Sequence, residues 1–145
     1  MNVKFEKLTP DLMVNNVAAS VKYYCENLGF DLAISVPEGA RTIAAKLDPD
    51  QEYVYAMVRR DEVFIMFMRR DVYAADVPAL KDVSVGASAS LYCEVEGLDA
   101  FYRSCRQKGL QIVKDISSTW YGMKEFYVQD PDGYILAFAE SVQQD

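Results

Sequence analysis

The chain repeats itself, and the repeat constrains the fold more than any other feature. Cys25 and Cys105 differ by 80 positions, as do Gly29 and Gly109, while Val14 and Val95, and Val17 and Leu98, differ by 81. Towards the C-terminus, Val63-Phe64-Ile65-Met66-Phe67 matches Tyr134-Ile135-Leu136-Ala137-Phe138 at an offset of 71. A duplication in which one copy carries a longer loop explains both offsets. Chance likeness of two amphipathic helices would not also reproduce the order of elements and the helix-ending glycines.

Each copy reads strand, helix, then mainly strands. Thr9 to Val14 is a short strand, and Asn15-Asn16 offers N-cap side chains to a helix running to about Leu28. Val17, Val21, Tyr24 and Leu28 recur at three- and four-residue steps, and Gly29 ends the helix. Phe30 to Val36 is a strand, Pro37-Glu38-Gly39 a turn, Arg41 to Leu47 further extended chain, and Asp48-Pro49-Asp50 a second turn. Tyr53 to Val58 and Val63 to Met68 form a hairpin about Arg60-Asp61. Asp71 to Gly86 is a connector, with a helical turn near Pro78-Ala79-Leu80. The order then restarts: strand from Ala87 to Val95, helix from Leu98 to Lys108, strand from Leu110 to Ile116. A hairpin from Phe126 to Phe138 follows, turning at Asp130-Pro131-Asp132-Gly133.

The expected architecture is α+β: two repeated βαβββ modules, 7–70 and 87–140 with connector 71–86, in one domain over 1–145. A length of 145 residues with 51% hydrophobic side chains suffices for a core without staples. Three cysteines, Cys25, Cys93 and Cys105, without C-x-x-C spacing argue against a disulfide framework or zinc knuckle and read as packed thiols. Fifteen basic against twenty-two acidic residues give a net charge of -7, which repels phosphate backbones, so nucleic acid is not an expected partner. No apolar run approaches a membrane span and the N-terminus lacks a signal-peptide core, which reads as a cytoplasmic protein without a membrane partner.

Period-two alternation assigns the strand faces. Leu12, Val14, Leu91, Cys93 and Val95 suit the side covered by a helix. Thr9, Asp11, Met13, Ser90, Tyr92 and Glu94 turn the other way, joined by Phe64, Met66, Met68, Ile135, Ala137 and Ala139 from the hairpins. If the modules curl together into a curved sheet with helices outside, these positions line a shared cup.

The pattern Leu12-x-Val14, Val17-x-x-Ser20 and Leu28-Gly29-Phe30, with Trp120-Tyr121-Gly122-Met123 and Phe126-x-Val128-x-Asp130-Pro131-Asp132-Gly133-Tyr134, resembles the vicinal oxygen chelate superfamily. That group includes glyoxalase I, extradiol dioxygenases and bleomycin-resistance proteins. The resemblance covers about Lys7 to Glu140 and implies paired modules with a metal held by four side chains on the cup face. Those positions fall on Thr9, Met66, Ser90 and Ala137. None offers the imidazole or carboxylate that a divalent ion of this family needs, and the chain has no histidine. No metal and no other cofactor is therefore expected.

The resemblance then points to the bleomycin-resistance branch, which binds its drug in an aromatic and acidic groove. The expected function is binding of a small aromatic or cationic molecule, an antibiotic among the candidates, by a homodimer. The ligand set is Asp11, Phe64, Met66, Ser90, Tyr92, Glu94, Trp120, Tyr121 and Ala137, with no catalytic residue. Taken singly, Met13, Phe64 and Met68 read as core, while Tyr92, Trp120 and Glu94 stand equally as packing or as ligand contacts. The alternative is a metal-independent lyase or isomerase with Glu94, Asp11 or Glu125 as base and Tyr92 or Tyr127 as acid. A plain interaction module, its cup filled by its own side chains, is the third reading.

Overall fold

Asn16 and Gly29 bracket the first helix for separate reasons. In the computed structural model, which describes residues 2–142, the Asn16 side chain accepts the Ala19 N–H at 2.9 Å, and Gly29 takes a left-handed φ of 73°. The helix between them is α1, Val17–Leu28. Around it run β1 Asp11–Val14, β2 Asp31–Pro37, β3 Tyr53–Arg60 and β4 Val63–Arg69, followed by α2, Arg70–Asp76. The second copy comprises β5 Ser90–Glu94, α3 Leu98–Gln107, β6 Ile112–Ser118, β7 Met123–Gln129 and β8 Ile135–Ser141. The expected α+β class and the two βαβββ repeats are observed.

The eight strands form two sheets of four, ordered β1-β4-β3-β2 and β5-β8-β7-β6. In each, the first strand lies parallel to the last and the remaining pairs are antiparallel. The chain divides into two compact units, the first ending at Val83 and the second beginning at Ser84, within the expected connector. Among the described residues no helix is long and apolar enough to cross a membrane.

Each unit has its own core between sheet and helix. In the first, Tyr24 of α1 lies 5.0 Å from Phe67 and 5.8 Å from Phe30, ring centroid to centroid. Val14, Val58 and Ile65 close around them, fully buried. In the second, Phe101 of α3 packs against Phe126 and Phe138 at 6.0 and 4.9 Å. The turn between β7 and β8 is held by Asp130, a buried carboxylate whose Oδ1 accepts the N–H groups of Asp132 and Tyr134, both at 2.9 Å.

Three expectations need correction. Strand β1 begins at Asp11, so Thr9 lies before it. The Arg41 to Leu47 stretch contributes only an isolated bridge between Ser35 and Ala44. It is largely exposed, has no apolar face to bury, and is held by the Ser35 hydroxyl donating to the Ala44 carbonyl at 3.1 Å. The connector opens with α2, whose seven residues are too few for a periodic pattern to stand out. The helical turn near Pro78 is present, as a 3-10 turn over Pro78–Leu80.

Gly97, the residue before α3, has no side chain to cap the helix. The Leu98 N–H instead donates to Glu140 of β8 at 2.7 Å, a cap supplied by a strand 42 residues away. The cysteines are free, Cys105 buried and Cys25 and Cys93 half-buried.

Candidate functional site

Because Phe126 and Phe138 point at α3, alternation turns Glu125, Tyr127, Ala137 and Ala139 to the opposite face of the second sheet. Tyr92 stands opposite Ala137 and Glu125 opposite Ala139, on strands separated by β8. The Tyr92 hydroxyl crosses that strand and donates to Glu125 Oε2 at 2.8 Å. It passes over alanines, both fully buried, which carry nothing beyond Cβ to block it.

Two further donors converge on the same carboxylate. The Tyr121 hydroxyl donates to Oε1 at 2.7 Å, and Lys114 Nζ of β6 lies 3.3 Å from Oε1. Glu125 is fully buried, which a carboxylate tolerates only when paired in this way. Burial alone would push its carboxyl up, but the donations from Tyr121, Tyr92 and Lys114 outweigh it and hold the group below the usual carboxylate range. Burial and donation to Glu125 push the Tyr92 hydroxyl up. Donation to Glu125, then burial, does the same to Tyr121.

The turn between β6 and β7 presents Tyr121 and its neighbour. The Thr119 hydroxyl donates to the Met123 carbonyl at 3.0 Å, Thr119 Oγ1 accepts the Met123 N–H at 3.1 Å, and Gly122 supplies a left-handed φ of 82°. Trp120, 92% exposed, stands edge-on to Tyr121 with ring centroids 5.4 Å apart. Tyr92 and Tyr121 are themselves 46% and 50% exposed. The second unit thus offers an open aromatic surface tied to one buried charge.

The first sheet carries the same residue types in exchanged places. Asp11 on β1 stands opposite Met66, as Tyr92 stands opposite Ala137, and Tyr55 on β3 stands opposite Met68, as Glu125 stands opposite Ala139. Asp11 is less well provided for than Glu125. Its Oδ1 is buried without a hydrogen-bond partner among the described residues, and the Tyr73 hydroxyl donates to its main-chain oxygen at 3.2 Å. Burial, then the charge of Asp76, push its carboxyl up, with Tyr73 pulling the other way. Phe64 is covered by Lys7, whose Nζ lies 3.1 Å from the ring centroid.

Of the residues expected from the sequence, Tyr92, Tyr121 and Ala137 come together about Glu125, with Trp120 beside them. Ser90 and Glu94 are exposed, opposite Ile135 and Ala139. Asp11, Phe64 and Met66 belong to the other unit. Glu125 and Lys114 were not in the expected ligand set. The alternation of Glu125 and Tyr127 against Phe126 and Val128 is the sequence signal that puts Glu125 on this face.

The metal positions implied by the resemblance do not fit an ion. Met66 lies opposite Asp11 and Ala137 opposite Tyr92, so Thr9 and Ser90 are each two residues from the position across the ladder. Ala137 is a buried methyl beneath a hydrogen bond, Met66 a thioether. Among the described residues no three His, Cys, Asp or Glu side chains group closely enough to hold a metal. A surface hollow of about 430 Å³ lies away from this chemistry, lined by Tyr102, Arg103, Arg106, Gln107 and Asp115 of α3 and β6.

Residues 7–138 match the family described as Glyoxalase/Bleomycin resistance protein/Dioxygenase superfamily. A bleomycin resistance protein of Geobacillus stearothermophilus is 24% identical over 135 residues, spanning 92% of this chain and 96% of that protein. The crystal structure of a glyoxalase/bleomycin resistance protein/dioxygenase from Nocardioides is similar in fold, with a TM-score of 0.73 at 16% identity, over 100% of this chain and 89% of that one. TioX from Micromonospora sp. ML1 superposes with a TM-score of 0.66 at 14% identity, over 95% of this chain and 100% of the other.

Proposed function

The chain belongs to the Glyoxalase/Bleomycin resistance protein/Dioxygenase superfamily, and from that premise we propose that it binds a small planar aromatic or cationic compound without a metal and without transforming it. The observation that carries this reading is the exposed group Tyr92, Tyr121 and Trp120, two of whose rings are tied to a buried carboxylate. Large exposed aromatics cost solubility unless they serve a contact, and planar ligands gain most from them. The 24% identity to a bleomycin resistance protein makes a glycopeptide the first ligand to try. A homodimer and a cytoplasmic location belong to the same proposal, the former checked by size-exclusion chromatography with light scattering.

Trp120 is the only tryptophan in the chain and sits on the proposed surface, so its emission reports binding there. Titration of the purified protein with bleomycin and a panel of planar cations should give a saturable change in Trp120 emission and a rise in melting temperature. At a ligand concentration of about 100 Kd the native state gains about 2.7 kcal/mol. Failure of every ligand to produce either signal would overturn the reading.

One observation favours the catalytic alternative. Asp11 has a buried carboxylate oxygen without a hydrogen-bond partner among the described residues and a raised pKa, attributes of a general base, whereas Glu125 is held below the usual carboxylate range and encircled by donors. That alternative requires that a compound which binds also be converted, and that Asp11→Asn abolish its conversion.

A further inference from the structure

Glu125 receives donors from three elements: Tyr92 of β5, Tyr121 of the β6–β7 turn and Lys114 of β6. An ionised carboxylate has about four acceptor sites, so most of its capacity is spent, and its side chain is 0% exposed. A cationic ligand reaching this face cannot pair with that charge without first displacing the protein's own donors. The phenols that hold it are different, since 46% of Tyr92 and 50% of Tyr121 is open to solvent. Their hydroxyls are turned inward and committed, and what a ligand meets is ring. A phenol that donates to an anion also holds more electron density in its ring than one that donates to water. That density is what attracts a cation to an aromatic face.

We propose that Glu125 is a positioning residue: it fixes Tyr92 and Tyr121 as donors and enriches their rings, so that this face takes an electron-poor planar cation by stacking rather than by ion pairing. The ligand class rests on the binding role proposed for this face; the positioning does not. The small side chains on β8 are part of the device. Ala137 and Ala139 lie between Tyr92 and Glu125 and leave the path across the strand open. The remaining titratable groups on this face are Lys114, Tyr127 and the exposed Glu94, which stands opposite Ala139 from the other side as Glu125 does; Lys114 Nζ also sits 5.0 Å from the Tyr127 ring centroid, which keeps one compensating positive charge beside the pair of phenols.

The test uses the full chain, its Glu125→Gln and Tyr92→Phe variants, and methyl viologen, a planar electron-poor dication with no hydrogen-bond donor. Alkaline titration of tyrosine absorbance in the unaltered protein should show a late-ionising group that holds Tyr92 and Tyr121 together with Tyr55, Tyr73 and Tyr102, whose hydroxyls are also pushed up. In Glu125→Gln the late group should lose two members, Tyr92 and Tyr121, to the main transition, and in Tyr92→Phe it should be smaller by one. Quenching of Trp120 by methyl viologen should saturate, with affinity about two- to fivefold weaker in Glu125→Gln and weakened also in Tyr92→Phe, which keeps the ring and loses the donated proton. If Glu125→Gln does not fold, Tyr92→Phe carries both measurements. A late group that keeps its size in the variants overturns the positioning role, and an unchanged viologen affinity alongside a smaller late group overturns the stacking role. Absence of viologen binding by the unaltered protein, with the late group shrinking in the variants as expected, overturns the binding reading and leaves the positioning standing.

Discussion

Replacing Ala137 with glutamate puts a carboxylate where the resemblance to metal-binding relatives would have one, and the structure says what it would cost. Ala137 is fully buried, with Tyr92 across the ladder on one side and Tyr127 on the other, on strands about 4.8 Å away. The Tyr92 hydroxyl passes over this position on its way to Glu125. Any larger side chain must displace that bridge, and Ala137→Leu, which adds volume alone, should cost about 1–3 kcal/mol as overpacking. Ala137→Glu adds a buried charge beside Glu125 with no cation to spare, a further penalty of about 3–5 kcal/mol. At about 1.4 kcal/mol per unit, that corresponds to a carboxyl pKa raised by roughly 2–4 units over its unfolded value near 4.3. The sign follows: below the unfolded value both states are protonated and the penalty vanishes, and it grows with pH until the folded value is passed. Urea unfolding of the two variants followed by circular dichroism should therefore give nearly equal stabilities near pH 3.5 and a gap of about 3–5 kcal/mol at pH 8. If Ala137→Glu stays within about 1 kcal/mol of Ala137→Leu at pH 8, the crossing is not crowded and the reasoning fails.

Asp11→Asn tests the opposite situation, a carboxylate held above its ordinary pKa by burial and by Asp76. Its ionisation should subtract stability as pH rises above the unfolded value. The variant should match the parent at acid pH and exceed it at neutral pH, by less than about 1 kcal/mol because the group is only half-buried and partly screened. A variant less stable than the parent at pH 7 would mean that Oδ1 has a partner. Phe67→Ala removes a fully buried ring 5.0 Å from Tyr24 and should cost about 3–5 kcal/mol in chemical denaturation, and a loss under 1 kcal/mol would contradict a core at this position.

The sequence foretold most of what is local. Asn16, Gly29 and the three- and four-residue spacing of Val17, Val21, Tyr24 and Leu28 act within a few residues of one another, and the helix they define is observed with both caps in use. The Asp130 turn is equally local, since its carboxylate serves N–H groups two and four residues on. What escaped notice was either too short to show a period, as in α2, or supplied from afar, as in the Glu140 carboxylate that caps α3. Arg41 to Leu47 misled because extended composition does not make a strand without a neighbour to complete its hydrogen bonds.

For the site, alternation along single strands sufficed to put Tyr92, Glu94, Ala137 and Ala139 on the face away from the helix, because the pleat has a fixed period of two. It could not say which residue of one strand meets which residue of another, since register is set by pairing across the sheet. Parallel pairing of β5 with β8 brings Tyr92 over Ala137, and antiparallel pairing of β7 with β8 brings Glu125 to Ala139. Only with both registers in hand does Ala137 change from a missing metal ligand into the gap through which Tyr92 reaches Glu125. The duplicated scaffold and the lack of histidine were legible in residue spacing and composition alone. Where the charge is held depends on the folded sheet, because a hydrogen bond spanning three strands has no signature in any one of them.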